Sequence, residues 1–240
     1  MDDSDDTNAA IWQSEGIVRE WAAGAPQRDR NRAAQLRFMA LLLPFGPDEA
    51  FTFLDLGAGT GAASRAVLAA YPRSTAILAD FSAAMMSAGE QEMEPFAGRY
   101  RYTEFDMLAG VWPAEIPAAV DAVVTSMCVH HLPDRRKQGL FAEILDRLVP
   151  GGWYLNYDPV RTEDPLVEEA WLRVNDREDP EMAVKRLNRN PQEQARYDNH
   201  VRYMIPLGQQ LDYLQSAGFE GIDVYLKNLE NVIYGGRRPR

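Results

Sequence analysis

The segment Phe51–Gly61, F-T-F-L-D-L-G-A-G-T-G, constrains this chain more than any other stretch. An apolar run interrupted by Asp55 leads into Gly57, Gly59 and Gly61 at alternate positions, followed by an alanine-rich stretch. The pattern predicts a buried strand that delivers the chain into a tight turn at a helix N-terminus. Glycine is costly in conformational entropy and serves where backbone must take unusual angles or approach a ligand closely. A helix N-terminus adds unpaired N–H groups and the positive end of a dipole. The carboxylate of Asp55, two residues ahead of the first glycine, suits a ligand with a cationic group better than one that is all phosphate.

From this point strand and helix patterns alternate. Strands are expected at 51–56, 75–79, 100–105, 120–127 and 153–157, with helices at 61–70, 82–93 (Ser82 as N-cap) and 133–148. Pro150-Gly151-Gly152 reads as a turn before the fifth strand. A helix at 207–217 closed by Gly218 precedes two short strands, 222–226 and 232–234, close enough in sequence to pair only antiparallel. Alternation of this kind implies an α/β fold: a Rossmann-like, doubly wound sheet with helices on both faces.

Two stretches do not fit the alternation. Ahead of it, residues 1–10 are acidic and without periodicity, which predicts a disordered tail. Residues 11–46 read as two helices, Ile11–Trp21 and Gln27–Leu43, separated by Gly24 and Pro26. After the fifth strand, residues 160–204 are polar with helical patches at 168–174, 180–187 and 191–203. Ligands of open α/β sheets sit beyond the carboxyl ends of the strands, so this insertion is expected to form a lid and the N-terminal helices a cap. Residues 47–240 then form the ligand-binding domain.

Composition narrows the partners. A net charge of −11 disfavours broad contact with a phosphate backbone, so small molecules are expected as substrates rather than nucleic acid. No apolar run approaches bilayer length, and the acidic start lacks the order of a secretion signal, which predicts a cytoplasmic protein with no membrane partner. A lone Cys128 excludes an internal disulfide and fits a reducing compartment. A homodimer is plausible from five tryptophans and an inserted lid.

Asp80 closes the second strand, where a carboxylate can accept from both hydroxyls of a ribose, and Phe81 beside it can lie against an adenine ring. Gly57-x-Gly59-x-x-Ala62 also satisfies the dinucleotide fingerprint, so an NAD-linked oxidoreductase is a rival reading. The later segments weigh against it. The loop F-L-D-L-G-A-G-T-G resembles motif I of the class I S-adenosylmethionine (SAM)-dependent methyltransferases. Asp121–Asp134, D-A-V-V-T-S-M-C-V-H-H-L-P-D, resembles their fourth motif, and Leu148–Asp158, L-V-P-G-G-W-Y-L-N-Y-D, their Leu-x-Pro-Gly-Gly segment and fifth strand. The last two strands are similar as well.

The resemblance implies a seven-stranded sheet with its last strand antiparallel, SAM as cofactor and S-adenosylhomocysteine as product. It implies that Asp55 with Gly57, Gly59 and Gly61 holds the methionine portion, Asp80 the ribose, Asp106 and Met107 the adenine, and that Ser126 and Met127 flank the sulfonium. A SAM-binding regulatory protein without transferase activity would share all of these residues.

For methyl transfer to a hydroxyl a base is needed, and imidazole suits the task. His130 and His131 follow the fourth strand, and one of them is expected to line the pocket, with packing the commoner duty for His131. His200 lies in the insertion. Asp158 ends the fifth strand, where its side chain can point at an acceptor, and Tyr157, Arg161 and Arg202 are further candidates beside the lid. Catalytic roles are therefore expected for His130, Asp158 and His200, and no metal site is expected.

Overall fold

The computed structural model describes residues 15–240. The expected acidic tail at 1–10, and the first residues of the first expected helix, lie outside that range. Seven strands form one sheet: β1 Thr52–Leu56, β2 Thr75–Asp80, β3 Tyr100–Glu104, β4 Val120–Ser126, β5 Leu148–Pro159, β6 Glu220–Asn228 and β7 Asn231–Arg237. Their order is β3-β2-β1-β4-β5-β7-β6. Strands β1 to β5 run parallel, while β7 is antiparallel to both neighbours. The winding reverses between β1 and β4, the place where an open α/β sheet leaves a crevice beyond its carboxyl ends.

Strand alternation divides the core into two layers. Leu54, Leu56, Ile77 and Val123 point to one face and pack under Leu140, Phe141 and Ile144 of α4 (Asp134–Arg147) and Leu214 of α8 (Leu207–Ala217). Phe53, Leu78 and Val124 point to the other face, against Val67 and Leu68 of α2 (Ala62–Ala70) and Leu36, Met39 and Ala40 of α1 (Glu15–Leu41). On that second face α3 (Ala83–Met93) adds the buried Met93. The Ser82 hydroxyl accepts from the Met85 N–H at 3.2 Å, the cap expected from sequence.

Two local expectations are corrected. Gly24 and Pro26 do not divide the N-terminal segment: α1 runs unbroken through both. An internal proline removes one backbone donor, but the φ it imposes is itself helical. The helix is then held by the Leu36, Met39 and Ala40 stripe, which is fully buried against the core. Likewise Pro150-Gly151-Gly152 is no turn ahead of β5 but lies inside it. The strand starts at Leu148, and the ladder to β4 shifts register between Val120 and Ala122. Gly151 sits at φ +82° in this bulge, and a Cβ on Gly152 would stand 2.9 Å from the Asp121 carbonyl.

Between β5 and α8 the chain builds three helices: α5 Pro165–Glu178, α6 Pro180–Leu187 and α7 Pro191–Val201. Each begins with a capping side chain followed by proline. Asp164 accepts from Leu166 N–H, Asp179 from Met182 N–H, and Asn190 from the N–H groups of Gln192 and Glu193. The two stems of this insertion meet. Arg161 pairs with Pro206 in an isolated parallel bridge, its N–H donating to the Ile205 carbonyl at 3.3 Å. Among the described residues no helix is long and apolar enough to cross a membrane.

Candidate functional site

The loop after β1 is built for close approach. Gly57, Gly59 and Gly61 all have positive φ (+67°, +53° and +82°). A Cβ on Gly57 would lie 2.0 Å from Cys128 Sγ, so only glycine fits between the loop and the chain leaving β4. The N–H groups of Gly57 and Ala58 donate to the Ala79 carbonyl, and Gly59 N–H donates to Asp80 Oδ2 at 2.8 Å. The carboxylate expected to meet a ribose thus first fixes the loop to the end of β2. Its Oδ1 accepts from Ser82 N–H at 2.9 Å. Burial pushes the Asp80 carboxyl upward in pKa, opposed by the backbone donors of Ser82, Gly59 and Phe81.

Around this loop lies an open cleft of about 910 Å³, a volume that includes the solvent at its mouth. Of the residues expected at the cofactor, Gly57, Gly59, Asp80, Phe81, Asp106, Met107, Ser126 and Met127 line it. They come from the carboxyl ends of β1, β2, β3 and β4. Asp106 accepts through Oδ1 from Leu108 N–H at 2.8 Å, which turns the exposed carboxylate at the end of β3. Met127 holds φ +56°, a left-handed conformation that costs a side-chain-bearing residue on the order of 1–3 kcal/mol. Its N–H donates to the Tyr157 carbonyl at 2.8 Å, which holds it there.

Asp55 and Gly61 stand behind the cleft rather than in its wall. Asp55 is buried, accepting through Oδ2 from the Ser64 N–H (3.0 Å) and hydroxyl (2.7 Å), so it anchors the first turn of α2 beneath the loop. Its Oδ1 has no hydrogen-bond partner. Burial pushes this carboxyl up to about 7, with the Ser64 bonds opposing. A carboxyl raised in the folded state keeps its proton between its unfolded value near 4 and about 7, so folding stability falls as pH rises through that window. Asp55→Asn removes this dependence. The stability of the variant relative to the parent, read from urea midpoints, should therefore rise between pH 4.5 and pH 7.5 and level off above.

Sequence reasoning missed Arg32. It reaches the cleft from α1, its Nη2 2.9 Å from Asp29 Oδ1. Asp29 also pairs with Arg65, whose Nη1 donates to the Thr60 carbonyl in the glycine loop at 2.6 Å. The signal was present: Arg32 precedes Leu36 and Met39 by four and seven positions, which puts a guanidinium on the buried stripe of the helix.

A second cluster adjoins the cleft and joins three residues singled out from distant parts of the chain. Asp158 Oδ1 accepts from Cys128 N–H at 3.0 Å and lies 2.8 Å from His130 Nδ1. His130 Nε2 lies 3.2 Å from His200 Nδ1, across 70 positions of sequence, on α7. His130 and Asp158 are both fully buried. Burial pushes Asp158 up to about 7 and, followed by the charge of Lys137, His130 down to about 3. Burial and then His130 lower His200 to about 4. Both partners are thus driven toward their neutral forms. With Asp158 Oδ1 accepting from Cys128 N–H, the tautomer of neutral His130 that donates from Nδ1 to Oδ1 fits this geometry. Its Nε2 then presents a lone pair. The expectation for the two adjacent histidines is reversed: His131 lines the cleft, while His130 is the enclosed one, behind it. Tyr157 is buried and Arg161 is taken up in the stem bridge of the insertion.

The comparisons with known proteins agree with this geometry. Residues 53–152 match the family model described as a methyltransferase domain. No curated protein matches the chain. Solved structures share the fold. An O-methyltransferase family protein from Burkholderia thailandensis is 17% identical over 93% of this chain and 60% of its own, with a TM-score of 0.66. Human N-acetylserotonin methyltransferase in complex with SAM is 17% identical over 96% and 58%, TM-score 0.65. An O-methyltransferase family 2 protein from Planctomyces limnophilus, in complex with apigenin, is 19% identical over 93% and 61%, TM-score 0.67. The chain spans about three fifths of the length of these structures. The glycine loop and the strand-end carboxylates thus lie in the segment, residues 53–152, that matches a methyltransferase domain, within a fold shared with these methyltransferase structures.

Proposed function

We propose that this protein transfers a methyl group from SAM to an oxygen nucleophile of a small molecule and releases S-adenosylhomocysteine. The observation that carries the reading is the convergence of the glycine loop, Asp80 and Asp106 on one cleft, with a buried histidine–carboxylate pair beside it. The residues fit the cofactor. The Gly57 cradle would be filled by any Cβ, and Asp80 and Asp106 keep carboxylate lone pairs for a ribose and an adenine amino group. Ser126 and Met127 would stand beside the sulfonium, and the Arg32 guanidinium suits the methionine carboxylate. Asp55 would act through the loop it anchors.

Bound SAM supplies a sulfonium methyl that carries its own leaving group. The protein's task is then to align the acceptor, exclude water and accept its proton. The chain Asp158–His130–His200 is suited to the last of these: Asp158 orients His130, His130 Nε2 faces His200 Nδ1, and His200 at the outer end would take the proton. α5, α6 and α7 would close over the acceptor as a lid, and α1 would cap the cofactor side. The O-methyltransferase names of two neighbours and the apigenin bound to one of them support a hydroxyl-bearing aromatic acceptor. A cytoplasmic homodimer acting on small molecules rather than nucleic acid completes the reading, supported by the acidic net charge and by exposed Leu166 and Leu187 on α5 and α6.

The first test is ligand-induced stabilisation. SAM and S-adenosylhomocysteine should raise the melting temperature and NAD should leave it unchanged. Asp80→Ala should weaken SAM binding on the order of 10- to 100-fold, the value of hydrogen bonds to a charged group. Equal stabilisation by NAD would count decisively for an oxidoreductase. Release of S-adenosylhomocysteine across a panel of phenols, amines and carboxylic acids then identifies the acceptor, and silence across the panel would favour a regulatory SAM-binding protein.

A further inference from the structure

His130, His131 and His200 each offer a ring nitrogen, and these nitrogens lie within 4.8 Å of one another. We propose that the three form a binding site for a zinc-class divalent metal, which fastens α7 of the insertion to the turn that follows β4.

The donor set and its spacing argue for this. Metal–imidazole bonds of 2.0–2.1 Å in a tetrahedral site place ligand nitrogens about 3.4 Å apart. The His130 Nε2 and His200 Nδ1 atoms are already 3.2 Å apart. The ring centroid of His131 is 4.0 Å from that of His130 and 5.4 Å from that of His200, so a side-chain rotation brings its nitrogen to the third vertex. Ligating histidines characteristically donate their second ring N–H to a carboxylate, which fixes the tautomer and raises basicity. His130 Nδ1 meets Asp158 Oδ1 in that way, and Asp158 Oδ2 is buried with no hydrogen-bond partner.

Lys137 and Arg189 oppose a cation here. Lys137 Nζ donates to the Leu132 carbonyl at 2.6 Å and to the Tyr203 carbonyl, and lies 3.5 Å from Asp134. Arg189 stacks on the Tyr197 ring and acts on His200 through its charge. With imidazole nitrogens as the donors, imidazole-preferring metals are selected over oxygen-preferring magnesium or calcium. A metal at the cluster would take the His130 Nε2 lone pair that faces His200, so loading exchanges proton acceptance along that chain for a latch on the insertion. In that respect the inference rests on the proposed function, but the site itself does not.

The test uses the tag-free full chain, stripped with a chelator and titrated with Co²⁺ and then Zn²⁺. Expected are one Co²⁺ per chain with the intense visible absorption of tetrahedral coordination, its displacement by Zn²⁺, and a rise in melting temperature. His200→Ala should abolish the absorption, and Asp158→Asn should weaken Co²⁺ binding by tenfold or more. Absence of stoichiometric binding in the parent, or binding unchanged in His200→Ala, overturns the site. The SAM-induced thermal shift of the same stripped protein reads the methyltransferase assignment separately, so the two can fail independently.

Discussion

Gly57→Ala is expected to lower the melting temperature steeply and to abolish stabilisation by SAM. Two costs add. Alanine at φ +67° is strained by about 1–3 kcal/mol, and its Cβ would fall 2.0 Å from Cys128 Sγ and 3.3 Å from Met107 Cε, overpacking worth roughly another 1–3 kcal/mol. Domains of this kind have only about 5–15 kcal/mol in total, so a loss of about 2–6 kcal/mol shows plainly in thermal melts. The double variant Gly57→Ala with Cys128→Gly separates the terms, since it removes both Cys128 Sγ and Cβ, 2.0 and 2.7 Å from the added Cβ, and leaves the strain. It should recover part of the stability and little of the SAM response. A single Gly57→Ala variant with parental melting temperature and parental SAM shift would refute the loop geometry.

Asp158 offers the second large effect, and two substitutions distinguish positioning from mere support. Asp158→Ala leaves the Cys128 N–H and His130 Nδ1–H buried without an acceptor, each at about 1–3 kcal/mol, and opens a cavity besides. Its melting temperature should drop by several degrees or more. Asp158→Asn keeps the shape but brings an amide N–H₂ into a place where only acceptors are wanted, and it releases the hold on the His130 tautomer. Once an acceptor substrate is found, this variant should lose about 10²- to 10⁴-fold in rate, the span of general-base catalysis. Its SAM affinity should stay near parental, because Asp158 does not line the cofactor cleft. Parental turnover by Asp158→Asn would remove the pair from the mechanism.

What could be read from the sequence was whatever depends on neighbours along the chain. The glycine loop, the carboxylates at strand ends and the Ser82 cap are local devices, each with its own chemistry within a few residues. α1 was misread for the same reason: Gly24 and Pro26 are strong local breakers, and what overrides them is tertiary, a stripe from Leu36 to Leu43 buried against α2 and the sheet. The first inserted helix was expected from Glu168 but starts at Pro165, where Asp164 caps it, a start signal hidden in a polar stretch. The Pro150-Gly151-Gly152 bulge could not be separated from a turn without its partner strand. The meeting of His130 with His200, and the turn of Arg32 into the cleft, depend on how separate elements pack, and no spacing along the chain encodes that distance.

The bridge between Arg161 and Pro206 has a consequence for how a fold of this kind can vary. Because the departing and returning strands of chain stand shoulder to shoulder, everything from 162 to 205 hangs on a closed stem, and closure entropy rises only slowly with the length of what hangs there. The returning limb of that segment is tied to the body through His200 on His130 and the Tyr203 carbonyl on Lys137, and α5 through Asn175 on Glu230. Selection, or an engineer, can shorten or lengthen its outer part while the sheet and the glycine loop are left in place.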